Sequence, residues 1–361
     1  MTTINRDDLE ELAVGAALLG TGGGGDPYTG KLLARAAIDR YGPVELIALD
    51  DVPDNFHIVA CGAMGAPTIL IEKVPGGDEL ELALATYEEY TGRKVDALIP
   101  FEAGGVNSMA PITAGARRGL PVIDADGMGR AFPQLEMETF HVYGVPVCPV
   151  IIADERGNTV IVETPSAANA EWLARGVTIR MGGQSWLVNY AMDGATVRRV
   201  SVPGTVSLAL GIGRTMRTAR LQRRSLIDDL LTFFADTHYE RAALIASGKI
   251  SDVARRTSQG WSIGTVTIEP FDRDRPAISI QIQNENLVAL QGDRVLAIVP
   301  DLICILDLDT GEPITTERLR YGQRVNVLAV QVPPIMRTPE ALAVFGPRAF
   351  GLPYDYSRLL G

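Results

Sequence analysis

Residues 95–126 read VDALIPFEAGGVNSMAPITAGARRGLPVIDAD, and this stretch decides the fold. VDALIPFE is an apolar run of strand length that closes on Glu102. NSMAPITAGARRG carries polar capping residues at its start and Gly119 at its end, and so reads as a helix. PVIDAD, from Pro121, is a second short apolar run. Strand, helix and strand in succession predict a layered α/β domain with a largely buried sheet, whose ligand site lies beyond the strand ends.

The pattern extends upstream. DDLEELAVGAALLG, from Asp7, has helical spacing at Leu9, Leu12, Val14, Ala16 and Leu19, with acids in its first turn, and ends at Gly20. GTGGGGDPYTG follows, and KLLARAAIDRYG reads as a second helix ending at Gly42. VELIAL from Val44, HIVACGAMG from His57 and TILIE from Thr68 have strand length and β-branched content, and Asp78 is placed to cap a helix through Tyr90. The character changes after about Ala174. VTIRMGG, SWLVNYAM and TVRRVSV read as strands, and 205–248 as helical, with RTMRTARLQRRS a solvated basic face. From Ser262 onward the text is nearly all strand, punctuated by turn residues. The expectation is an N-terminal α/β domain over 1–174 and a C-terminal β-rich barrel or sandwich over 175–361, with the tail RTPEALAVFGPRAFGLPYDYSRL packing back. Within that tail, Arg348 and Asp355 pin the C-terminus or close over a site.

Composition narrows the function. At roughly 150 residues per domain, 361 residues suit two domains, and 46% hydrophobic with 21% charged residues is globular. A net charge of −11 supplies no overall counterion-release term, so nucleic acid is an unexpected partner. The longest stretch without a formal charge, 55–71, is broken by Gly62, Gly65 and Pro67, which argues against a bilayer span. MTTINRDDLEEL lacks a signal-peptide pattern, so the cytoplasm is expected. Cys61, Cys148 and Cys304 are odd in number and far apart, which suits reduced core thiols. His57, His141 and His238 are equally scattered, so no zinc spacing exists.

Three constellations carry chemistry. Four consecutive glycines, Gly22, Gly23, Gly24 and Gly25, precede Asp26; such a run costs backbone entropy and presents bare amides suited to an anion or developing oxyanion. The loop follows a helix and lacks a P-loop lysine, against a nucleotide site, and a plain helix connection is the alternative. Second, Glu102 closes a strand while Asn107 and Ser108 open a helix, as caps or as catalytic groups. Third, DADGMGRAFPQLEM gathers Asp124, Asp126, Arg130 and Glu136. Paired carboxylates serve as acid and base or hold a divalent cation, and Arg130 suits a substrate carboxylate. A purely structural ion-paired loop competes with that reading.

GTGGGGDPYTGK, FEAGGVNSMAPI, GLPVIDADGMGRAFPQLEM and FGPRAFGLPYDY together resemble the S-methyl thiohydantoin desulfurase domain family, in order and spacing over nearly the whole chain. The resemblance implies an N-terminal α/β domain, a β-rich C-terminal domain and a substrate class of small cyclic ureides such as hydantoins and thiohydantoins. It also implies association with hydantoinase/oxoprolinase-type proteins. Gly22 to Asp26, Glu102, Asn107, Asp124, Asp126, Arg130 and Glu136 fall on the family's motif positions, whereas Gln134 stands where an acid is expected. The expected protein is a homo-oligomeric hydrolase in which Asp124 or Glu102 activates water, Asp126 and Asn107 assist, and the glycine amides stabilise the charge that develops. The alternative is a non-catalytic partner of a hydantoinase/oxoprolinase-type enzyme.

Overall fold

The computed structural model describes residues 2–65, 69, 73, 75–258 and 261–359. The strand expected at 68–72 lies, but for Ile69, outside the described residues.

The chain opens with β1 (Thr2–Ile4), α1 (Leu9–Leu19), α2 (Pro27–Tyr41), β2 (Val44–Ala48), β3 (His57–Gly65) and α3 (Glu79–Thr91). It continues through β4 (Ala97–Pro100), α4 (Ala110–Arg118), β5 (Val122–Asp126), α5 (Thr139–Val142), β6 (Val150–Ala153) and β7 (Thr159–Val162). Then come α6 (Ala167–Arg180), β8 (Gln184–Asp193), α7 (Gly194–Val200), β9 (Val202–Pro203), α8 (Thr205–Gln222) and α9 (Leu226–Ala235). The strands form one sheet in the order β1-β2-β5-β4-β3-β8-β6-β7, with β9 against β5. Its centre, β2, β5, β4 and β3, is parallel. Those strands are near-continuous apolar runs because helices cover both faces. The carboxyl ends of β3, β4 and β5 therefore emerge on one edge, joined there by the start of antiparallel β8, where Gln184 lies opposite Gly65.

The second sheet comprises β10 (Ala242–Ser258), β11 (Trp261–Pro270), β12 (Ile278–Gln283), β13 (Glu285–Gln291), β14 (Arg294–Ile298), β15 (Leu302–Asp307) and β16 (Arg324–Val330). It is antiparallel throughout, ordered β14-β13-β12-β11-β10-β16-β15, and curls into a half-barrel over its own aliphatic cluster. Helix α10 (Pro339–Phe345) and the tail follow. Another cluster unites Leu18 and Leu19 of α1 and Val206 of α8 with Leu287 and Cys304 of the half-barrel. One hydrophobic core thus runs through both sheets' territory.

Several local readings change. VTIRMGG is not a strand but largely the last turn of α6: Ser166 accepts a bond from Asn169 N and the Ala-rich start propagates a helix through the β-branched residues. TVRRVSV is mostly α7, which Asp193 starts by accepting a 2.7 Å bond from Thr196 N. The helical stretch over 205–248 ends at Ala235, and β10 begins at Ala242. Asp78 makes no capping bond; Glu79 instead accepts from Gly76 N and Gly77 N, each at 2.7 Å. The basic face of α8 is solvated as read, and its arginines pair there with acids, among them Arg217 with Glu11 at 2.9 Å and Arg214 with Asp8 at 2.7 Å. Arg348 pairs with Asp355 within the tail at 3.0 Å.

Helices α1 and α8 cross with their backbones in contact. A Cβ on Gly15 would lie 1.8 Å from the Ala209 carbonyl oxygen, and one on Gly213 would lie 2.0 Å from that of Glu11. Gly15→Ala is therefore expected to cost about 1–3 kcal/mol or more by overpacking, read as a lower urea midpoint. Gly176→Ala, in α6 with no atom near the new methyl, should leave stability unchanged or raise it by up to about 1 kcal/mol.

Candidate active site

The glycine loop is built by close approach. Thr21, Gly22, Gly24 and Gly25 all take positive φ, at 46°, 94°, 76° and 79°. A Cβ on Gly24 would lie 2.6 Å from Gly104 Cα, and one on Gly105 would lie 2.3 Å from the Gly25 carbonyl oxygen. Two glycine turns, one after α1 and one after β4, are thus pressed together and joined by Val106 N donating to Gly24 O at 2.8 Å. From the other side the half-barrel grips the loop: Thr21 Oγ1 bonds both the amide and the carbonyl of Ile303, and Thr316 N donates to Gly22 O.

A cavity opens beside this junction, at the carboxyl edge of the first sheet, where α/β proteins hold ligands. Its volume is about 80 Å³, and it is partly open to solvent. Gly24, Gly25, Glu102, Asn107, Gln184 and Glu285 contribute its polar wall, with Phe101 and Phe132 beside them. Among the described residues the Gly24 and Gly25 amides make no hydrogen bond, so both donors are available.

Glu102 is the central group. Asn107 Nδ2 donates to its Oε1 at 2.7 Å and Phe132 N to its Oε2 at 3.1 Å. Asn107 is itself held by Ala63, whose amide donates to Oδ1 at 2.7 Å. Burial outweighs these bonds and pushes the Glu102 carboxyl up to about 7. Glu285, on the half-barrel side and pressed against Gly23, is pushed well above the usual carboxylate range, first by burial and then by the charge of Glu102. Two carboxyls, both displaced upward by burial, thus share one site, a setting in which acid and base roles can be divided.

The remaining candidate residues are placed elsewhere. Asp124 accepts from Ser207 N at 2.9 Å and also bonds the Ser207 hydroxyl, which caps α8 from a neighbouring strand. Asp126 is fully buried behind the cavity, accepting from Gly129 N at 2.7 Å. Ser108 Oγ accepts from Gly104 N within the turn. Asp26 caps α2 through Tyr28 N and pairs with Arg318 at 2.6 Å. Gly22 and Gly23 are buried and do not line the cavity, and Glu136 lines an adjoining groove.

The substrate-carboxylate role read for Arg130 is corrected. Its guanidinium is fully buried and donates to the carbonyls of Ala131, Pro300, Asp301 and Asn286, stacking 4.7 Å from the Phe132 ring centroid. Four of its five N–H donors go to these main-chain carbonyls, and the side chain does not line the cavity. The cation on the cavity wall is Arg175 of α6, at 3.9 Å over the Trp261 ring and bonded to Pro133 O at 3.0 Å.

Sequence reasoning did not single out Arg175, Gln184, Glu138 or Glu285. Glu138 is fully buried with neither carboxyl oxygen bonded among the described residues, and burial together with Asp126 and Glu102 pushes it well above the carboxylate range. The only signals were an acid between apolar residues in EMETF and the polar interruption NEN between two strand runs. Among the described residues, no group of three or more His, Cys, Asp or Glu is set to hold a metal ion. No described helix is long and apolar enough to cross a membrane.

Fold and site together define a two-domain protein with an acidic cavity between an α/β sheet edge and a β half-barrel. The model for S-Me-THD-like N-terminal domains matches residues 7–164 and that for S-Me-THD-like C-terminal domains matches 165–359, so the chain belongs to the S-methyl thiohydantoin desulfurase domain family. No curated protein matches it. The crystal structure of a protein from Chromobacterium violaceum superposes with a TM-score of 0.84 at 24% identity, covering 100% of both chains, and so has the same fold.

The raised carboxyls fix the sign of a stability test. A folded-state value above the unfolded one stabilises below the unfolded value, near 4.3, and that contribution is lost as pH rises through the folded value, about 7 for Glu102. Glu102→Gln should therefore be more stable than the wild type at pH 8, by on the order of 1–3 kcal/mol, and no more stable at pH 4, in urea unfolding at both values. Asp124→Ala should instead lose about 1–2 kcal/mol as a missing helix cap at neutral pH.

Proposed function

We propose that this chain is a hydrolase that removes sulfur from small cyclic ureides of the thiohydantoin type, with Glu102 as base and Glu285 as acid. The observation that carries the reading is the pair itself. Burial pushes the Glu102 carboxyl up to about 7, and burial and the charge of Glu102 push Glu285 well above the usual carboxylate range beside the same cavity. Family membership supplies the substrate class.

Glu102 takes a proton from water, and the oxygen attacks the thiocarbonyl carbon. Charge moves onto sulfur, which Glu285 protonates; the amides of Gly24 and Gly25 stabilise the charged adduct as preorganised donors. The C–S bond then breaks as the adduct's hydroxyl proton returns to Glu285, and Glu102 passes its proton to the departing hydrosulfide. The products are the hydantoin and hydrogen sulfide, with both carboxyls restored. On an S-methylated ring the reacting carbon carries C=N, Glu285 protonates the nitrogen, and methanethiol leaves. Asn107 fixes the Glu102 carboxylate, and Arg175 attracts an anionic ring substituent.

Purified protein should release sulfide from 2-thiohydantoins with loss of the thiocarbonyl absorbance, and assays before and after chelation tell whether a divalent cation takes part. Glu102→Gln should lower kcat by about 10²- to 10⁴-fold. Because the base must be ionised, kcat/KM should rise with pH through about 7. Full activity in Glu102→Gln would remove this mechanism.

A second reading rests on α6, where Trp172, Leu173 and Ile179 leave an apolar face exposed, with Trp172 74% accessible. Such a face suits a protein partner, and a hydantoinase/oxoprolinase-type enzyme is the one the family suggests. In that case the chain is inactive alone and co-elutes with the enzyme in size-exclusion chromatography.

A further inference from the structure

Gln184 opens β8 at the cavity, opposite Gly65, the last residue of β3. Its main chain is fixed by pairing with Gly65 and by Lys73 Nζ, which donates to its carbonyl at 3.2 Å. The residue is 3% exposed, yet neither the carboxamide oxygen nor the carboxamide nitrogen has a hydrogen-bond partner among the described residues. A buried amide missing both partners loses its hydration without replacement, which is costly and rare in native proteins. Asn107, its neighbour in the cavity wall, shows the opposite state, with its amide bonded to Glu102 and Ala63. Asn189, further along β8, is also buried with both amide atoms unbonded among the described residues, but it does not line the cavity; Gln184 does. Gln184 therefore brings one unpaired donor and one unpaired acceptor, side by side, to the cavity wall.

We infer that Gln184 is a specificity-determining residue that clamps the lactam edge of the substrate ring, its oxygen accepting from a ring N–H and its nitrogen donating to the adjacent ring C=O. The inference rests on the ring-hydrolase reading above and narrows it. In a five-membered ureide the N3–H and C4=O lie cis to one another and match a carboxamide in a two-bond pair. With that edge held by Gln184, the reacting carbon, C2, is the next ring atom and is left facing the base. The clamp selects rings with a free N3–H and excludes N3-substituted ones. It applies equally to hydantoin, the unreactive oxygen analogue, so that binding can be read apart from chemistry.

The test is calorimetric binding of hydantoin and N3-methylhydantoin to wild type, Gln184→Met and Gln184→Glu. Sulfide release from 2-thiohydantoin is measured in parallel. The wild type should bind hydantoin on the order of 10- to 100-fold more tightly than the N3-methyl compound, the loss expected when a buried polar pair is left open. Gln184→Met, of similar length and unbranched, should bind the two compounds equally and weakly, and should melt no lower than wild type because the orphaned amide is gone. Gln184→Glu keeps an acceptor and loses the donor, and should weaken hydantoin binding as well. Retained discrimination in Gln184→Met, equal binding of the two compounds by the wild type, or no binding of hydantoin would overturn the clamp. Tight, discriminating binding without sulfide release would leave the clamp standing and remove the desulfurase reading instead.

Discussion

The approach of Gly24 to Gly104, and of Gly105 to the Gly25 carbonyl, is the constraint on which the rest depends. A side chain at any of these positions would separate the two turns by the width of a methyl group. Three consequences follow from contact. Val106 N reaches the Gly24 carbonyl, the cavity is closed on one side by backbone, and the loop is pushed outward far enough for Thr21 and Gly22 to be gripped by the half-barrel. Sheet edge and half-barrel are thus joined through a segment whose conformation only glycine adopts without strain.

Charge is organised around that joint by burial. Glu102, Asp126, Glu138, Glu285 and Asp301 all lie at or below 5% exposure, and Arg130 is the cation buried among them. Arg130 sends its donors to carbonyls of both domains, so it serves as a rivet as much as a counterion. Even with Arg337 beside Asp301, the buried acids outnumber the cations, and burial pushes the carboxyls above the usual carboxylate range, which favours their protonated forms. The chemistry available at the cavity is therefore proton transfer, which is why acid–base catalysis fits it better than fixed-charge binding of an anion.

The fold was legible where burial is uniform. HIVACGAMG and PVIDAD are strands at nearly the residues read, because a parallel strand covered on both faces leaves an apolar run that little else explains. The half-barrel was legible from Ser262 for a similar reason, alternation with turn residues. Strand β10 was not, since SGKISDVARRTS is too polar to signal a strand whose pairing in the sheet, rather than its sequence, stabilises it. The last turn of α6 was misread because Val177, Thr178 and Ile179 favour strands in isolation and are overruled by a helix already under way. At the site, Glu102 and Asn107 were visible because they flank a strand-to-helix turn. Glu138, Gln184 and Glu285 were not, because what marks them is the missing partner, a property of three-dimensional burial that no local pattern carries.

Arg130 shows why a charged motif is a poor guide to ligand contact. DADGMGRAFP brings two acids and an arginine within seven residues, and the reading of such density as a binding site is natural. Yet the turn spends its polar groups inward. Asp126 accepts the amides of Met128 and Gly129, and Arg130 crosses to the half-barrel, while Asp124 turns aside to cap α8. The motif's work is to hold Phe132 N against Glu102 and to fix the joint beneath it. The turn's polar groups are therefore spent on positioning Glu102 and on the joint between the sheets. The polar groups that line the cavity come instead from the sheet edge and from the half-barrel strand that faces it.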